Sequence, residues 1–182
     1  LRALAKEWRG ELKTFLFFPD EYYEVTFLKC QLVGALPYEE FVAELDGVVG
    51  LIDNWATCDC FRAPCIKKYR EEFLPVIEKY LQDGREFVVR YALVSLLEYY
   101  MQEEYLPFIY NAVLHADAQV HYIKMGAAWL LAEVLVHFYE SGVCFLRENA
   151  LDENLRRIAI QKARESFRLT AEQKEELKAL KV

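Results

Sequence analysis

Breakers divide this chain at regular intervals, and their spacing leaves few folds open. Apolar residues recur at helical spacing nearly throughout, as in Phe87, Tyr91, Val94 and Leu97, or Ile123, Ala127, Leu130 and Val134. Period-two alternation is almost absent, so the pattern predicts an all-helical chain. Pro19-Asp20, Leu36-Pro37, Asp53-Asn54, Asp83-Gly84, His115 to Asp117, Ser141-Gly142 and Leu151-Asp152 mark the breaks. One class of helix is expected to begin near residues 22, 54, 86, 121 and 154, and a second near 38, 70, 103, 139 and 170. Both series advance by 31–36 residues, and two interleaved series with one period are hard to obtain by accident.

Paired helices with such a period are the mark of a HEAT-like or tetratricopeptide-like solenoid. The Trp, Gly and Tyr positions of a tetratricopeptide consensus are missing, which favours the HEAT-like form. The expected fold is therefore all-α, an α-α superhelix of about five helix pairs forming one domain over 1–182. An irregular helical bundle with coincidental helix lengths is the alternative.

Composition narrows the setting. A chain of 182 residues with 54% hydrophobic residues and seven glycines is neither disordered nor collagen-like. Its longest apolar runs, such as Met125 to Leu131, fall far short of the roughly 20 residues that cross a bilayer. A soluble, monomeric protein without a membrane partner is expected. The five cysteines are an odd number and sit mostly among apolar neighbours, which fits a reducing cytoplasm. Cys58, Cys60 and Cys65 form no Cys-x-x-Cys pair, and no His follows at ligand spacing. They read as small buried hydrophobes rather than metal ligands, and no metal or cofactor is expected. His115, His121 and His137 fit no metal or triad motif. The sequence starts at Leu1 without a leader, so segments upstream are expected to be missing.

Net charge is −7, which taken alone argues against nucleic acid. Its distribution reverses that inference. Segments 54–70, 84–102, 119–138 and 154–168, around the first class of helix, total +7, whereas 38–53, 71–83, 103–118 and 139–153 total −14. In a solenoid the two classes line opposite faces, so one face would be basic. A groove carrying Lys67, Lys68, Arg90, Arg156, Arg157 and Lys162 could hold a phosphate backbone although the whole chain is acidic.

No Gly-rich phosphate loop, Gly-x-Ser-x-Gly elbow or His-Glu-x-x-His helix is present. The most unusual segment is Asp53-Asn54-Trp55-Ala56-Thr57-Cys58-Asp59, at the start of a positively charged helix. Trp55 and Asp59 are four apart and share a helical face. A carboxylate beside an indole on a basic surface can stabilise a developing cation. The plain alternative is a core tryptophan with an aspartate that interacts with the helix dipole.

Asn54-Trp55-Ala56-Thr57-Cys58-Asp59, then Arg85-Glu86-Phe87-Val88-Val89-Arg90-Tyr91-Ala92, then Tyr122-Ile123-Lys124-Met125-Gly126-Ala127-Ala128-Trp129 resemble the DNA alkylation repair family of HEAT-like alkylpurine DNA glycosylases. The opening Leu1 to Glu7 and the closing Leu155 to Arg168 resemble it too. That family commonly carries further helices before the opening segment.

The resemblance implies a groove lined by Trp55, Asp59, Arg90 and Trp129, with Trp55, Asp59 and Trp129 catalytic. Arg90, Lys67, Lys68, Lys124, Arg156, Arg157 and Lys162 would contact DNA. The implied reaction is hydrolysis of the N-glycosidic bond of N3- or N7-alkylated purines in double-stranded DNA, without metal or cofactor. Asp59 would stabilise oxocarbenium-like charge, the two indoles would pack on the deoxyribose, and Arg90 would hold a phosphate. A non-catalytic DNA-binding relative and a protein-binding scaffold are the alternatives.

Overall fold

A computed structural model of the chain describes residues 1–180. Among the described residues every regular element is helical, as the periodicity requires. The chain divides inside one helix into two compact units, Leu1–Tyr91 and Ala92–Val182.

The first unit contains α1 (Arg2–Glu7), α2 (Leu12–Leu16), α3 (Tyr23–Val33), α4 (Tyr38–Val49), α5 (Trp55–Cys60), α6 (Arg70–Leu81) and the opening of α7 (Glu86–Tyr99). A turn of 3₁₀ helix, Pro64–Lys68, links α5 to α6. α3 packs on α1, α2, α4 and α5. Fully buried aromatic rings tie the rest together. Phe41 of α4 contacts Phe73 of α6 at 5.7 Å and Phe61 at 6.3 Å between centroids, and Phe61 contacts Tyr91 of α7 at 4.9 Å. Such pairs add to the burial of their area, and Phe61 is the residue that closes α5, so this cluster fixes where α5 ends.

The second unit contains the remainder of α7, then α8 (Leu106–Leu114), α9 (His121–His137), α10 (Tyr139–Glu148), α11 (Glu153–Glu165) and α12 (Ala171–Ala179). α9 contacts α8, α10 and α11. Contacts on three sides explain why Ile123, Ala127, Leu130, Leu131, Val134 and Leu135 are all buried, and why this helix has no single apolar stripe.

Helix starts follow local chemistry. The Asn54 side chain accepts the Thr57 N–H at 2.9 Å, and Asp152 accepts that of Leu155 at 2.9 Å. Thr170 and Gln173 form a reciprocal capping box. Each satisfies an amide that the first helical turn leaves without a partner. The expected starts at 22, 54, 86, 121 and 154 fall beside α3, α5, α7, α9 and α11. Those at 38, 70, 103, 139 and 170 fall beside α4, α6, the 3₁₀ turn Glu103–Tyr105 that leads into α8, α10 and α12.

One expected break lies elsewhere. Ser141-Gly142 is inside α10, and the chain turns instead at Phe138, with φ −133° and ψ 59°. Gly142 serves packing: a Cβ there would lie 2.9 Å from Leu135 Cδ2 and 3.3 Å from Leu135 Cα. The missing side chain lets α10 approach α9, so the glycine marks contact rather than a turn.

Candidate functional site

α5 has only six residues, and its two faces differ. Thr57 and Cys58 are fully buried, and the Cys58 Sγ lies 3.7 Å from the Phe87 carbonyl of α7. Burial, with the neighbouring Asp59 charge second, pushes the Cys58 thiol well above the ordinary range. The Gln31 side chain of α3 donates to the Cys60 carbonyl at 2.7 Å, and Gly34 lets the end of α3 approach the Arg62 carbonyl closely. The short helix is thus held from both α3 and α7.

The opposite face carries Trp55 and Asp59. Trp55 is 54% exposed, so it is no core residue. One turn later Asp59 meets Arg90 of α7: Nε donates to Oδ1 at 2.9 Å and a terminal nitrogen donates to Oδ2 at 2.8 Å. The side chains are only 7% exposed for Arg90 and 15% for Asp59. This is a bidentate, largely desolvated pair, in which planar fork matches planar carboxylate. Each carboxylate oxygen retains further acceptor capacity beyond the bond it takes from arginine. Arg90, expected to clamp a phosphate, faces Asp59 with its fork instead of standing open to solvent.

The other basic candidates divide by their engagements. Lys67 and Lys68 are exposed at the end of the 3₁₀ turn before α6, and the Lys68 ammonium lies 5.5 Å from the Tyr69 ring centroid. In the second unit Arg157 is exposed, while Lys124 and Lys162 are half-buried. Arg156 donates to the carbonyls of Leu180 at 2.9 Å and Leu146 at 2.8 Å. It binds α11 to the C-terminal ends of two other helices, and its expected phosphate contact finds no support in this geometry. Trp129 is partly exposed on α9 and borders a cleft that also involves Lys162, Phe167 and Arg168. Phe167 and Arg168 were not legible as site residues because a Ser-Phe-Arg segment after a helix has no distinguishing pattern.

Two further features concern exclusions. Among the described residues no group of three or more His, Cys, Asp or Glu side chains could hold a metal ion. Among the described residues, too, no helix is long and apolar enough to cross a membrane.

A family model described as DNA alkylation repair enzyme matches residues 1–167. Comparison with curated proteins and with solved structures gave no match.

Proposed function

The chain belongs to the DNA alkylation repair enzyme family, and on that premise we propose that it is a DNA glycosylase. Its substrates are N3- and N7-alkylated purines in duplex DNA. Such a base already carries positive charge, so it departs without the general acid that a typical glycosidase needs. One carboxylate then suffices. Asp59 stabilises oxocarbenium-like charge at the anomeric carbon and orients the attacking water. Trp55 offers an electron-rich face to the same charge, and Trp129 packs on the deoxyribose. Arg90 acts through Asp59 as a positioning residue, because its fork restricts the carboxylate to one orientation. Lys67, Lys68, Lys124, Arg157 and Lys162 carry the phosphate contacts.

The observation that carries this reading is the pair on one face of α5: an indole 54% exposed and, a turn later, a carboxylate held at both oxygens by Arg90. A protein that needed Trp55 only for packing would bury it. The two interleaved series of helix starts support the HEAT-like pairing that the reading presumes. The test is release of 7-methylguanine from alkylated duplex DNA, with Asp59→Asn as control. Release by wild type and its loss in the variant are expected.

The Arg90 fork also favours a second reading, a DNA-binding relative without glycosylase activity, because the guanidinium offsets the Asp59 charge that would meet the developing cation. Folded wild-type protein that binds alkylated DNA yet releases no base would establish that alternative.

A further inference from the structure

The second unit holds a cleft of about 570 Å³ between α8 and α10, two helices that carry none of the residues given a part in the function proposed above. Each helix presents one stripe to it. Pro107, Tyr110 and Leu114 of α8 follow one another at steps of three and four residues, and so do Ser141, Phe145 and Glu148 of α10. Such steps keep each set on one helical face, so the cleft is a groove about two turns, or roughly 10 Å, long.

The groove is firmly built and apolar. The Tyr110 and Phe145 rings stack at 4.2 Å between centroids and 11° from parallel, and the Tyr110 and Ser141 hydroxyls share a hydrogen bond of 2.7 Å. Phe145 is buried, whereas Leu114 is 40% exposed and Pro107 is exposed as well. Cys144, exposed on α10, donates to a Glu148 carboxylate oxygen at 3.2 Å. Acids stand at both ends of each helix: Glu103 before α8 and Asp117 after it, Glu140 in the first turn of α10 and Glu148 in the last. Segments 103–118 and 139–153 each sum to −3. The one Lys or Arg among them, Arg147, is paired with Glu176 at 2.7 Å.

We infer that this groove is a docking surface for a basic amphipathic helix of a partner protein. A groove walled by two helix faces takes the apolar stripe of a third helix laid along it. Leu114 and the Tyr110 and Phe145 stack meet that stripe, and Glu148 meets a lysine or arginine on its flank. The net negative charge of both segments selects a basic partner and repels phosphate, so the occupant is a protein and not DNA. A second copy of this chain fits less well. Its own basic helix, α11, already buries Leu155, Ala159, Ile160 and Ala163 in the fold and has no apolar stripe to offer. The inference stands apart from the glycosylase reading, because it uses other helices and requires no bond to break.

Fluorescence-anisotropy titration of the full chain tests it with a labelled helical peptide of leucine and lysine, spaced to give one apolar and one basic face. One comparison peptide replaces lysine by glutamate, and another keeps the composition but scrambles the spacing. The basic amphipathic peptide is expected to bind at least about tenfold more tightly than either, with affinity falling as salt rises. Leu114→Ser and Glu148→Lys, both at exposed positions, should each weaken its binding by about tenfold. Glu78→Lys, the same change of charge at an exposed position of α6, should leave it within about twofold. In wild type the bound peptide should slow alkylation of Cys144 and leave that of half-buried Cys65 unchanged. Failure to bind, equal binding of the scrambled peptide, affinity indifferent to both groove variants, or an equal loss in Glu78→Lys would each overturn the inference. Protection of Cys144 in the protein alone as its concentration rises would overturn it too, by giving the groove to a second copy.

Discussion

Asp59 and Arg90 place opposite charges in a poorly hydrated site, which makes each a structural partner of the other as well as a functional candidate. Asp59→Asn removes the counter-charge from an arginine only 5% exposed, so a loss of about 3 kcal/mol is expected in urea denaturation. Below the lowered melting temperature, single-turnover base release should fall by about 10²- to 10³-fold. Trp55→Ala separates the roles in the other direction. Its exposure limits the stability cost to about 1 kcal/mol or less, while base release should slow by about tenfold if the indole meets developing positive charge. A Trp55→Ala protein that is badly destabilised yet releases base at the wild-type rate would return Trp55 to a packing role. The cysteines give a residue-scale pH prediction. Burial pushes the Cys30 thiol from 9.0 to about 12, with the Asp20 charge adding to the effect. The unfolded chain therefore ionises first, so the stability contributed by Cys30 is complete below about pH 9 and is lost as pH rises toward 12. Mass-spectrometric alkylation of the native protein should leave Cys30 and Cys58 unmodified while exposed Cys144 reacts.

At the scale of elements, close approach and capping decide the geometry. Gly142→Ala would raise helix propensity by about 0.5–1 kcal/mol, but its Cβ meets Leu135 at 2.9 Å. Overpacking should win, with a net destabilisation of about 1–3 kcal/mol measured by urea denaturation. Arg156 and Arg157 are neighbours in sequence with opposite expectations. Arg156→Met removes the donors to Leu146 and Leu180, so stability should fall by about 1.5–3 kcal/mol with little change in the salt dependence of DNA binding. Arg157→Ala, at an exposed position, should leave stability nearly unchanged and reduce the magnitude of the salt slope by about 1. Thermal melts and DNA titrations on both variants check the contrast. Three helix starts were legible in adjacent residues: Asn54, Asp152 and the Thr170 with Gln173 pair cap within three positions. The turn at Phe138 was not, because no glycine or proline marks it, and Gly142 drew the expected break to a site whose purpose is contact with another helix.

For the whole molecule, the net charge of −7 and a basic phosphate-binding surface are compatible only if charge is segregated. Two of the seven basic candidates, Arg90 and Arg156, are engaged inside the fold, and the proposed phosphate contacts fall to the other five. With about four or five such contacts, log affinity for undamaged duplex DNA should fall with log salt at a slope of about −4. Titration at several salt concentrations measures it, and binding that persists with a slope near zero would contradict an electrostatic surface. The sequence by itself determined the helical class, the approximate helix starts from α3 onward, and the placing of Trp55 and Asp59 on one face, because periodicity and capping act over a few residues along the chain. Its motifs also carried the family resemblance that the match over residues 1–167 bears out. Only the tertiary structure decided which charged groups are consumed within the fold and which remain at the surface. Arg90 and Arg157 are equally basic letters in a sequence. Whether a guanidinium finds a carboxylate 31 positions away or faces water depends on how helices distant in the chain pack together, and no local pattern encodes that.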